Sequence, residues 1–263
     1  MNKAYLLLLA FFMFSCSSSD DTTVVEEEDL NPIEEESKVY KLKKETFSFE
    51  DYYMTEREIN YEYNSNGFIS KIIDKSSWIS GSEHESTTDY YYNNNRMDSI
   101  VNIYVQIQNT SKSTTVFTHD LKGDIISSSR YYNEKLVELV EYFYKTNNQL
   151  NYTVLTRVDN NGEHQTPKTE YLIYENGILV GYESAFPTTR TFDNKNNPHI
   201  NLYSPDYKRI VKHLFINNTL IQVSTSSSVK RKYEYEYNSD NFPVKSLNYG
   251  DDKLVFEKNY IYY

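Results

Sequence analysis

Five histidines, one cysteine and two Asn/Asp-rich clusters are the side chains whose types could support chemistry beyond packing. His84, His119, His164, His199 and His213 are scattered, without the close spacing a transition-metal site needs. The runs Asp193-Asn-Lys-Asn-Asn and Asp159-Asn-Asn-Gly-Glu163 bring oxygen ligands together as calcium loops do. Neither follows the alternating pattern that ends on a bidentate Glu, and Lys195 sits inside the first, so both read as turns. There is no glycine-rich phosphate loop, no Gly-x-Ser-x-Gly and no His-Glu-x-x-His. Carboxylates are plentiful, but spacing alone converges no pair. The expectation is a protein with no catalytic, cofactor or metal residues, with an enzyme ranked third among the functions considered.

Aromatic rings carry the remaining promise. The chain has 27 Tyr, 13 Phe and one Trp against seven Gly, with strong use of Asn, Ser and Thr. Such rings bury area while their hydroxyls reach a polar partner, and they can hold a sheet together or lie beneath a sugar or an extended peptide. Trp78, Tyr91, Tyr131 and Tyr132 fall off or beside the main aromatic register and are the candidate ligand contacts.

The elements that position these residues repeat along the chain. Tyr61-Glu-Tyr63-Asn64-Ser-Asn66-Gly67-Phe68-Ile69 returns near the other end as Tyr235-Glu-Tyr237-Asn238-Ser-Asp240-Asn241-Phe242. Related strings start at Tyr90, Phe117, Tyr142, Leu172, Thr191 and His213, which makes eight copies. In the third copy, His119 takes an aromatic slot. Alternating aromatics predict a strand with one aromatic face, and the Asn/Asp/Gly cluster predicts a tight turn back. Each unit is then one hairpin, and neighbouring hairpins must pair to be stable. The predicted fold is all-β: a single-domain antiparallel meander of about 16 strands, either a curved open sheet or a closed barrel. Ser80–Thr88 and Asp159–Lys168 are expected to be long polar connections, and Pro187, Pro198, Pro205 and Pro243 to lie at turns or edges.

The first residues read as an address. Lys3 precedes an apolar run from Ala4 to Phe14, too short to span a bilayer as a helix but suited to a signal peptide over residues 1–15. The run ends at Met13-Phe14-Ser15-Cys16, which resembles a bacterial lipobox and implies acylation of Cys16, the only cysteine. Residues 16–37 then form an acidic tether. Nine acids and no Lys or Arg fall within 17–37, which leaves 26 basic and 29 acidic residues for 38–263, the repeat domain. A body of net charge −3 is no nucleic-acid footprint. Ser19-Asp20-Asp21 resembles the acidic export tag of Bacteroidota lipoproteins and implies the outer face of the outer membrane, with the periplasmic face as the alternative. Asp98-Ser99-Ile100 and Asp21-Thr22-Thr23 fit the short acceptor pattern for O-glycosylation in Bacteroidota, making Ser99 and Thr22 candidate acceptors.

The repeat itself resembles the Tyr-Asp (YD) repeats of the Rhs family. It is closer still to short repeat lipoproteins of Bacteroidota that have a porin-like, many-stranded fold and unknown function. Phe192–Pro198 and Tyr235–Ser246 carry that resemblance, which spans roughly 40–263 and implies no catalytic residues. The expected function is a membrane-attached binding or scaffold module for a glycan or protein ligand. A purely structural or adhesive envelope protein is the alternative. A transmembrane barrel is disfavoured, because the strand faces carry Lys, Glu and Asn too often for an outward apolar band.

Overall fold

Several repeats turn on an Asn or Asp whose own side chain closes the loop. Asn64 Oδ1 accepts from the N–H groups of Asn66 and Phe68, both at 3.0 Å. Asp120 does the same for Lys122 and Asp124, and Asn238 for Asp240 and Phe242. The fourth turn residue has positive φ: glycine at Gly67 and Gly123, asparagine at Asn148 and Asn241. Those are the two residue types that enter the left-handed region most readily. Asp159 builds the same turn with Asn161, Gly162 and Glu163, so its carboxylate serves backbone N–H groups, as the sequence suggests.

This computed structural model describes residues 40–50, 53–106, 109–175, 178–182, 188–211, 217–224 and 230–263, all within the compact unit Val39–Tyr263. Cys16, Ser19, Asp20, Asp21 and Thr22 lie outside the described residues. The strands are β1 (Leu42–Phe49), β2 (Met54–Tyr63), β3 (Ile69–Trp78), β4 (Glu83–Asn93), β5 (Arg96–Gln106), β6 (Asn109–His119), β7 (Ile125–Tyr132) and β8 (Lys135–Tyr144). They continue with β9 (Leu150–Arg157), β10 (Lys168–Glu175), β11 (Ile178–Tyr182), β12 (Thr188–Phe192), β13 (Thr219–Ser224), β14 (Lys230–Tyr237), β15 (Pro243–Gly250) and β16 (Lys253–Tyr262). All sixteen join one antiparallel sheet. Its ladder begins at β11, runs back to β1, crosses to β16 and ends at β12, so it is not closed.

The crossing shows how the repeats are shared out. β1 pairs with β16, and the Tyr263 N–H donates to the Lys41 carbonyl at 3.0 Å. One hairpin is therefore assembled from the two ends of the domain. Conversely, the sixth and seventh copies are the two arms of one hairpin, β12 and β13. At that turn Asp193 Oδ1 accepts from the Lys195 N–H as usual, but its second N–H comes from Asn218. Asn218 stands 25 residues on, where a regular turn has the fourth, so 21 residues (197–217) are inserted into a repeat turn.

The described part of that insertion carries the short helix α1 (Pro205–Lys208) and runs along the inner face of the sheet. Leu202 joins Leu42, Phe47, Ile59, Tyr61, Ile69 and Tyr260 in one buried cluster, and Ile210 joins Met97, Phe117 and Ile125 in a second. Pro198 and Pro205 belong to this segment. At the other end of the hairpins the strands are longer than expected, since Glu83–Thr88 lies in β4 instead of a connection.

Candidate functional site

In four places the second aromatic of the repeat pattern is tied to the neighbouring hairpin. Tyr63 Oη donates to the Leu42 carbonyl at 2.6 Å, Tyr92 to Ile69 at 2.8 Å, Tyr144 to Ile125 at 2.7 Å and Tyr262 to Pro243 at 2.7 Å. Ile69, Ile125 and Pro243 sit just past a turn and Leu42 opens β1; all four are buried. Burial pushes these four phenols up, so they stay protonated and serve as donors. Three first aromatics bond inward-facing side chains, Tyr61 to Glu45 at 2.5 Å, Tyr142 to Ser128 at 3.0 Å and Tyr260 to Ser246 at 3.2 Å, and Tyr235 donates to the Thr219 carbonyl at 3.1 Å. The main tyrosine ladder is thus part of the framework.

Polar side chains at three positions of the inserted segment, Asp206, Arg209 and His199, hold it against this wall. Asp206 Oδ2 accepts from the Met97 N–H at 2.9 Å and lies 3.1 Å from His119 Nε2. Burial raises the Asp206 carboxyl, but the hydrogen bonds with the Met97 N–H and His119 help to hold it below its ordinary value. Arg209 pairs with Asp124 at 2.5 Å. His199 Nε2 lies 3.2 Å from Glu45 Oε1, which also takes the Lys258 ammonium at 2.7 Å. Glu45 is 1% exposed. Burial alone would raise its carboxyl, yet Lys258 and His199 pull it well below the usual carboxylate range.

Beyond the insertion the inner wall turns polar. One cross-strand row reads Tyr90, Ile100, Thr115, Arg130, Glu138, Arg157. Another reads Asp74, Ser86, Tyr104, Ser111. Arg57 forks onto Asp74 at 2.9 and 2.6 Å. A cavity of about 180 Å³ opens on this wall, with Tyr207 and Ile210 of the insertion as one side and Thr115, Ser128, Arg130, Glu138 and Tyr142 among the others. Arg130 Nη2 lies 3.1 Å from Glu138 Oε2 across the strands.

The structure does not gather the four aromatics proposed from sequence. Trp78 lies on the inner side at the end of β3, edge-on to His84 at 5.7 Å, which in turn meets Tyr104 Oη at 3.1 Å. Tyr132 is also on the inner side, opposite Ser113, and is 48% exposed. Tyr91 and Tyr131 point to the outer face, opposite Ser99 and Thr114. Ser99 is half-buried on that face and donates to Asp98 Oδ2 at 3.1 Å. The aromatic stripe that reaches solvent is one the sequence reading missed: Phe143 stacks on Tyr152 at 4.5 Å, and Tyr152 meets the exposed Tyr171 at 5.3 Å. Among the described residues no group of three His, Cys, Asp or Glu side chains is placed to hold a metal ion.

A solved structure shares this architecture. A porin-like protein from Bacteroides uniformis superposes with a TM-score of 0.53 at 15% identity, covering 84% of this chain and 98% of that one. The chain has a porin-like β fold. A second porin-like protein, from Bacteroides vulgatus, gives a TM-score of 0.41 at 12% identity over 86% of this chain and 99% of that one. No family model and no curated protein sequence matches the chain. On this porin-like sheet the outer face carries cross-strand ion pairs: Lys44–Glu58 at 2.5 Å, Lys75–Glu85 at 3.1 Å, Lys71–Asp89 at 3.5 Å and Lys245–Glu257 at 2.8 Å. Strands that cross hydrocarbon put apolar side chains there.

Proposed function

We propose that this chain is an envelope lipoprotein, anchored to the outer membrane through acylated Cys16 and directed to the cell exterior by Ser19, Asp20 and Asp21. Its YD-like hairpin repeats form a binding and scaffold module for a glycan or protein, without a catalytic role. The observation that carries this reading is the inserted segment. Leu202, Tyr207 and Ile210 fill the inner face near the repeat turns, which suits a basin reached from the opposite side better than a conduit. Outer-face ion pairs such as Lys75–Glu85 favour attachment by lipid over insertion of the strands. The body's near-neutral charge argues against a nucleic-acid partner. Ser99, on the outer face, is accessible to a glycosyl donor; Thr22 is proposed on its acceptor pattern alone. A purely structural or adhesive role is the second reading, supported by the commitment of the ladder hydroxyls to framework bonds.

Protease shaving of intact cells tests the placement. Loss of the protein while a periplasmic control survives is expected, and Cys16→Ser should move it to the soluble fraction. Protection of both proteins until lysis would overturn surface exposure. In planar bilayers the purified protein should give no stepwise conductance; such steps would overturn the module reading.

A further inference from the structure

We infer that the inner-wall cavity beside Tyr207 takes one neutral sugar residue at the end of a glycan. This deepens the reading of the β domain as a binding module and rests on it. Arg130 and Glu138 face each other at 3.1 Å across neighbouring strands, and Arg157 follows Glu138 in the same row. Two adjacent hydroxyls satisfy such a wall: one accepts from the guanidinium while the other donates to the carboxylate. A phosphate or carboxylate ligand would meet the charge of Glu138, and an amine would meet Arg130 and Arg157. The wall therefore selects a neutral polyol.

The other lining groups agree. Thr115 and the Ser128/Tyr142 hydroxyl pair add groups that both donate and accept. Tyr207, edge-on to Phe117 at 5.4 Å, supplies an apolar surface for the C–H face of a pyranose ring. Burial pushes the Tyr142 and Tyr207 phenols up, so both remain O–H donors. The inserted segment closes one side, and about 180 Å³ has no room for a threaded polymer, so a terminal unit enters.

Saturation-transfer NMR on the full-length processed protein in detergent tests this, using five separate probes: the methyl glycosides of glucose, mannose, galactose, N-acetylglucosamine and glucuronic acid. Transfer to at least one neutral glycoside is expected, weakened at least tenfold by Arg130→Met. Arg130→Lys keeps the charge without the fork and should also weaken it, with an unchanged far-UV spectrum showing that the fold is intact. Tyr171→Ala, on the outer aromatic stripe, should leave the signal intact. Transfer to none of the probes, to the glucuronide alone, or lost only in Tyr171→Ala would each overturn the inference. A protein that binds no glycoside and gives no conductance loses the sugar assignment but keeps the module reading.

Discussion

His119 on the wall and Asp206 on the inserted segment meet at 3.1 Å, in the slot where other repeats place a tyrosine on a backbone carbonyl. Tyr63 reaches Leu42 at the start of β1, and Tyr92, Tyr144 and Tyr262 each reach the residue just past the preceding turn. For the third repeat that residue is Met97, and the Asp206 carboxylate stands between it and His119. The one described repeat with histidine in this slot is thus where the insertion docks.

Asp206→Ala should therefore loosen the insertion. It leaves the buried Met97 N–H without its acceptor, and an unsatisfied buried donor costs about 1–3 kcal/mol. In a domain of this size the thermal midpoint should fall by roughly 2–4 °C per kcal/mol. Circular dichroism melts would show it; an unchanged midpoint would mean that the carboxylate is not holding the segment.

The ladder tyrosines predict a graded series. Tyr63→Phe, Tyr92→Phe and Tyr144→Phe each strip the donor from a buried carbonyl and should cost about 1 kcal/mol in urea unfolding. Tyr91→Phe and Tyr131→Phe, on the outer face, should stay within about 0.5 kcal/mol of the parent. Equal effects in both groups would refute a framework role for the hydroxyls.

Glu45 predicts a pH dependence of definite sign. Its folded-state carboxyl is depressed, so its contribution is full above the unfolded value of roughly 4.3 and is lost as pH falls toward the folded one. Glu45→Gln leaves Lys258 without its buried counter-charge and should cost about 3–5 kcal/mol at pH 7. The gap between parent and variant should shrink as pH is lowered from about 5 toward about 2. A gap constant over that range would show that the pairing with Lys258 and His199 contributes no net stability.

Much of this was legible before the structure. The turn ends of the strands could be read because Tyr61/Tyr63 and Tyr235/Tyr237 alternate toward an apolar core, and because Asn64 and Asn238 close their own turns. The opposite ends were obscured by chemistry: Ser86, Thr88, Asn102 and Ser113 face a polar inner wall, so Glu83–Thr88 lacks the alternation that marks a strand. The faces of Tyr91, Tyr131 and Tyr132 were hidden because each sits in a run of consecutive aromatics, Tyr90–Tyr92 and Tyr131-Tyr132, whose members alternate between the two sides of the strand, so composition alone does not say which one points inward. The insertion hid inside a turn whose opening residues, Asp193 to Asn196, match the repeat. Two incomplete copies in succession, with Pro198 and Pro205 between them, were the available signal.

A deletion within the sixth turn is the sharpest test of the fold. Removing residues 197–217 joins Asn196 to Asn218 and restores the ordinary spacing, with Asp193 Oδ1 accepting from the second and fourth residues after it. The two N–H groups that close the turn are the ones it already uses, so the hairpin should form with its present register. What is lost is cover: Leu202 and Ile210 leave the clusters around Leu42, Ile69, Met97 and Ile125. Burial of large apolar side chains is worth about 1.5–3 kcal/mol each, so the midpoint should fall by roughly 10 °C or more. The far-UV β signal should persist, and binding of an apolar dye should rise as the inner face opens to solvent. An unfolded chain would show instead that the segment is part of the core on which the sheet depends.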